Sequence, residues 1–71
     1  MDRAYLKTLG GRIRSLRKAN GLSQIEVSYR CEIDRSNYHR IESGNTNPTV
    51  TTLKKIADAI GVSVRDFFTF D

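Results

Sequence analysis

Cys31 is the only cysteine in a chain of 71 residues. No internal disulfide can staple so short a sequence, and a domain of this size stands near the lower limit at which packed apolar side chains suffice alone. The fold must therefore close a core from few residues, and the spacing of those residues decides what it can be. A lone thiol also suits a reducing compartment. Cys31 itself reads as a small buried hydrophobe rather than a redox sensor.

The spacing is helical throughout. Leu6, Leu9, Ile13 and Leu16 recur at three- and four-residue steps, and Asn20-Gly21 closes the pattern. Inside it, Gly10-Gly11 lowers helix propensity, either to admit a neighbouring helix or a phosphate or as an inert tolerance. "SQIE" reads as a capping box, with Ser23 and Glu26 opening a second helix over 24–30 that turns Val27 and Cys31 inward. Asp34 is placed to cap a third helix from Arg35 to about Ser43, stopped by Gly44. Thr49 caps a fourth, whose Val50, Leu53, Ile56, Ala57 and Ile60 keep the helical period up to Gly61. Ser63, with Asp66 three residues on, opens a short fifth helix ending in "DFFTF". Nothing alternates as a strand does. The expectation is an all-α, compact five-helix domain over 1–71.

Charge narrows the function. The net charge is +4, which favours a polyanionic partner. From Arg3 to Lys18 there are six basic residues (Arg3, Lys7, Arg12, Arg14, Arg17, Lys18) and no acid. One histidine and one cysteine, His39 and Cys31, are too few for a four-ligand zinc site. No phosphate-cradling glycine loop or nucleophile motif occurs, so neither an enzyme nor a bound metal or cofactor is expected. No apolar run approaches membrane-spanning length, and no leader pattern opens the chain, so a complete cytoplasmic protein is expected.

The third helix carries the most informative pattern. With Tyr38 and Ile41 facing inward, Ser36, His39, Arg40 and Ser43 fall on the opposite side, flanked by Arg35 and Asn37. Arginine can bridge O6 and N7 of guanine, asparagine N6 and N7 of adenine, and serine is permissive. The plainer reading is a solvated helix face. The acids of the segment have structural work: Glu26 and Asp34 serve as caps, and Glu42, in a last turn where the helix dipole disfavours an anion, needs a cation. Arg17 is the candidate.

"LSQIEVSYRCEIDRSNYHRIESGNTNP", followed by "TLKKIADAIGVSVRDFF", resembles the phage repressor and Cro family of helix-turn-helix transcription regulators. "IDRSNYHRIE" is similar to the controller proteins of restriction–modification systems. The resemblance implies a lambda-repressor-like fold with the helix-turn-helix over about 23–44, and binding to double-stranded DNA with the 35–43 helix in the major groove. Arg35, Ser36, Asn37 and Arg40 match positions that face bases. Ser23, Gln24, Tyr38, His39, Ser43, Asn45, Thr46 and Asn47 are expected at the DNA backbone, and Arg17 and Glu42 match a family ion pair. Three positions depart from the pattern. Ser28 stands where alanine is usual and Tyr38 where Ile or Val is usual, leaving its hydroxyl to reach solvent or phosphate. Glu32 stands where glycine is common, at a strain of roughly 1 kcal/mol if the turn has positive φ.

Phe67, Phe68 and Phe70 are more aromatic surface than a short terminal helix can bury alone. With the family habit of binding two half-sites about 34–36 Å apart, they point to a homodimer on an inverted-repeat operator, formed through 50–71. The rival from another class is an antitoxin-like module whose aromatic end grips a partner protein.

Overall fold

The computed structural model describes residues 2–69. Four α-helices follow one another, α1 (Arg3–Ala19), α2 (Gln24–Arg30), α3 (Arg35–Glu42) and α4 (Val50–Ile60), before a closing 3-10 helix, Val64–Phe68. No strand occurs among the described residues.

Each helix starts at a side chain that takes up the amides left without a carbonyl in the first turn. Asp2 accepts from the Ala4 N–H at 2.9 Å to start α1. Ser23 and Glu26 exchange bonds across the start of α2, at 3.1 and 2.9 Å. Asp34 accepts from Ser36 N–H, and Thr49 from Thr52 N–H. The last element differs from the α-helix expected there. Ser63 and Asp66 do form the box, but only five residues follow, and Asp66 N–H bonds back three residues to the Ser63 carbonyl at 2.9 Å. So short a run tightens into 3-10 geometry.

One apolar cluster joins all five elements. Ile13 from α1, Val27 from α2, Tyr38 from α3, Ile56 from α4 and Phe67 from the 3-10 helix are each at most 1% exposed. Cys31, at the end of α2, is buried beside them, and burial pushes its thiol pKa up. Two expectations fail at the ends of this core. Val50 fits the period of α4 but, as its first residue, is 76% exposed, and burial begins one turn later at Leu53. Among the phenylalanines, Phe67 fills the core at 0% exposure while Phe68 is 40% exposed. Phe67 therefore cannot belong to a dimer surface in this structure. Phe70 lies outside the described residues.

The packing of α1 on α3 places the third helix. A Cβ on Gly10 would stand 2.6 Å from the Ile41 carbonyl oxygen, so the α1 backbone itself rests on the last carbonyls of α3. Gly11 has nothing within 4 Å of its Cβ position, so the pair divides into one packing glycine and one open one. Gly44, at φ +75, packs against the Lys7 backbone and closes α3 against α1.

Candidate nucleic-acid interface

The outer face is organised by a buried carboxylate at its base. Glu42, in the last turn of α3, accepts from Arg17 Nε at 2.7 Å and Arg17 Nη2 at 3.0 Å, a two-pronged pair across α1 and α3. Gln24 Nε2 donates to it at 3.0 Å, and so does the Tyr38 hydroxyl. Arg17 also donates to the Leu22 carbonyl at 2.8 Å, fixing the approach to α2. Burial alone would push the Glu42 carboxyl up, but the bonds from Arg17, Tyr38 and Gln24 together outweigh it and hold the carboxyl below its ordinary range. The same burial, reinforced by the carboxylate, drives the Tyr38 phenol pKa strongly upward.

The expected Arg17–Glu42 pair is thus present, and it is the centre of a larger network. Tyr38 is corrected by it. At 0% exposure and with its hydroxyl spent on Glu42, Tyr38 cannot reach a DNA backbone, and its hydroxyl goes neither to solvent nor to phosphate. Its four-residue spacing from Glu42, which puts both on one helix face, was the available signal.

The turn between α2 and α3 is built from local strain and caps. Glu32 takes φ +56, the left-handed conformation that disfavours a side chain. Ser28 is buried, and its hydroxyl is satisfied by the Ile25 carbonyl at 2.9 Å, so the departure from alanine leaves no orphaned polar group.

On α3, Ser36, His39 and Arg40 lie opposite Tyr38 and Ile41, flanked by Arg35 and Asn37, and all five are exposed. The side chains of Arg35, Asn37 and Arg40 have no hydrogen-bond or ion-pair partner among the described residues. Arg35, Ser36, His39 and Arg40 line one open groove with Ser23, Gln24 and Ile25 from the start of α2, and Arg17 lies at its floor. Gln24 reaches this groove half-buried, with its amide nitrogen turned to Glu42 and its oxygen 3.4 Å from His39 Nδ1. The Ser43 hydroxyl donates to the His39 carbonyl at 2.9 Å. Beyond α3, Asn45 and Asn47 are exposed and Thr46 is half-buried. Asn45 already accepts from Arg3 at 2.8 Å, a link between α1 and this loop that no local pattern announces. Arg12, which the sequence leaves either as ordinary surface or near the phosphates, instead donates to the Asp66 carbonyl at 2.9 Å and Thr69 Oγ1 at 3.1 Å, tying down the 3-10 helix.

This geometry, two short helices joined by a tight turn with the second presenting unpaired guanidinium and amide groups, has a family counterpart. A helix-turn-helix family model matches residues 13–67. The chain belongs to the helix-turn-helix family of transcription regulators. The structure of the restriction-modification controller protein C.AhdI from Aeromonas hydrophila is similar, with a TM-score of 0.89 and 35% identity over 92% of this chain and 98% of that one. Control protein C.MunI of Mycoplasma sp is 32% identical over 60 residues, 83% of this chain and 81% of that protein. The immunity repressor protein of Bacillus phage phi105 is 35% identical over 57 residues, but this chain spans only 40% of that repressor's length. Within the helix-turn-helix unit, α2 and α3 occupy the places read from the sequence. The network under α3 joins them to α1. Among the described residues, no helix is long and apolar enough to cross a membrane.

Proposed function

We propose that this helix-turn-helix protein is a cytoplasmic, sequence-specific regulator of transcription that binds an inverted repeat in double-stranded DNA as a homodimer, with α3 in the major groove. The observation that carries this reading is the sorting of α3. Its inward side chains are consumed by the core and the Glu42 network, while Arg35, Asn37 and Arg40 stand exposed without partners. Arg35 and Arg40 read bases, guanine above all, and Ser36 and Asn37 refine the choice. Ser23, Gln24, His39, Ser43, Asn45, Thr46 and Asn47 meet the backbone. For Gln24 the contact comes through the first-turn N–H groups of α2, since its amide nitrogen is held by Glu42.

In this reading the whole chain, 1–71, serves as one DNA-binding domain, and the two protomers meet through 50–71, where Val50 and Phe68 are exposed apolar side chains. Similarity to controller proteins and to a phage repressor supports a regulator governed by its own concentration. The antitoxin-like alternative loses ground, because Phe67 is spent on the protein's own core.

The test is capture of sites from sheared genomic DNA, followed by binding of wild-type and variant protein to a captured duplex. Arg35→Ala and Arg40→Ala should each cost about 1–3 kcal/mol at that duplex and narrow its margin over scrambled DNA. Variants that keep both affinity and margin would refute the assignment.

A further inference from the structure

The six basic residues of α1 separate by what they touch. Arg12 is bonded to the 3-10 helix and Arg17 to Glu42 and Leu22, so both act inside the protein. Arg3, Lys7, Arg14 and Lys18 are all exposed. Of these only Arg3 has a partner among the described residues, Asn45 in the loop after α3. At about 100° per residue, these four fall within roughly 60° of arc, a single stripe along α1. Gly11 lies on the same stripe, with open space where a side chain would be. No acid interrupts it.

The stripe runs beside the groove. On the wheel of α1, Arg12 marks the edge that meets the 3-10 helix, and the buried Leu9 and Ile13 come next. Gly10 and Arg17, which meet α3, follow, and the stripe lies immediately beyond them. Its N-terminal half is fastened to the elements at the edge of the groove. Arg3 is bonded to Asn45, and the Lys7 backbone packs against Gly44. Between Arg3 and Lys18 it extends for about 22 Å at roughly 1.5 Å per residue.

We infer that the Arg3–Lys7–Arg14–Lys18 stripe of α1 is a second contact surface for the phosphates of double-stranded DNA, beside those spanned by α3. It rests on the DNA-binding reading above. Lysine and arginine held on one rigid face opposite a polyanion release counterions on binding without reading bases. The stripe therefore adds affinity and salt dependence but no sequence choice. This also accounts for the division among the six cations: Arg12 and Arg17, turned into the protein, hold the fold, and the four exposed ones form one surface.

The experiment measures salt dependence of binding to a captured duplex with about ten extra base pairs on each side. It compares wild type, Arg14→Gln, Lys18→Gln, their double variant, and Arg30→Gln, an exposed arginine at the end of α2 that turns to the Ala59 carbonyl, away from the stripe. Each stripe substitution removes one phosphate contact from each protomer of the dimer and should lower the log–log salt slope by about 1.8. Between 50 and 200 mM salt the double variant should then lose on the order of a hundredfold less affinity than wild type. Arg30→Gln should leave the slope alone, and the ratio of specific to scrambled binding should stay constant for all variants. An unchanged slope in the double variant, an equal drop in Arg30→Gln, or a changed specificity ratio would each overturn the inference while leaving the regulator reading in place. Wild-type protein that binds no duplex at any salt would instead refute the regulator reading itself, and the stripe with it.

Discussion

Glu42→Gln keeps the shape of the side chain and removes its charge, which makes it the sharpest probe of the network under α3. In the native protein, Oε2 accepts from Arg17 Nε and the Tyr38 hydroxyl, and Oε1 accepts from Arg17 Nη2 and Gln24 Nε2. A glutamine offers an oxygen at only one of these positions, so its NH2 group must face two donors at the other. The substitution also leaves Arg17, 6% exposed, without a counter-charge. Removing one member of a buried ion pair costs about 3–5 kcal/mol. A 71-residue domain, at roughly 0.05–0.15 kcal/mol per residue, has about 4–11 kcal/mol in all. Urea unfolding followed by circular dichroism should show about 3–5 kcal/mol of that stability gone at an unchanged m-value. The thermal midpoint should fall by at least about 12 °C, at about 4–8 °C per kcal/mol. Arg17→Met combined with Glu42→Gln should cost well under the sum of the two single losses, because no charge is then stranded. A single-variant loss below about 1 kcal/mol, or simple additivity, would refute the reasoning.

Acid should act on the same group. Because Glu42 is held below the ordinary carboxylate range only in the folded protein, protons favour the unfolded chain. Its contribution is full above the unfolded value of about 4.3 and is lost as pH falls through the lower folded value. Stability measured from pH 6 to 2 should fall less steeply in Glu42→Gln than in wild type, and parallel curves would contradict this. The two central glycines of α1 should respond oppositely. Gly10→Ala drives a methyl into the Ile41 carbonyl and should destabilise by about 1–3 kcal/mol, whereas Gly11→Ala should stabilise by about 0.5–1 kcal/mol. Equal effects in thermal melts would dismiss the close approach of α1 to α3. Glu32→Gly, which relieves the left-handed backbone, should raise stability by up to about 1 kcal/mol, and a lower melting temperature would count against strain in the turn.

The parts legible in the sequence were those with local causes. Ser23, Asp34, Thr49 and Ser63 announce their helices because capping is a matter of neighbouring residues. The Arg17–Glu42 pair followed from the helix dipole, which asks for a cation near an acid in a last turn. What escaped depends on how the helices meet. Which of Phe67 and Phe68 enters the core turns on the register of a single 3-10 turn against α1 and α4, and nothing local fixes it. The burial of Tyr38 was half-visible: an aromatic ring on the inward face was expected, but the fate of its hydroxyl required Glu42 and Arg17 to be brought together by α1. The ties from Arg12 to the 3-10 helix and from Arg3 to Asn45 join residues 54 and 42 positions apart, beyond any local pattern.

Base reading by α3 is measured most directly by selection from a random duplex pool, with bound fractions sequenced at two salt concentrations for wild type and Arg35→Ala. Wild type should enrich an inverted repeat, with preference lost at specific positions in the variant. Salt-sensitive retention with no enriched sequence would reduce α3 to an unspecific charged surface and contradict the central claim.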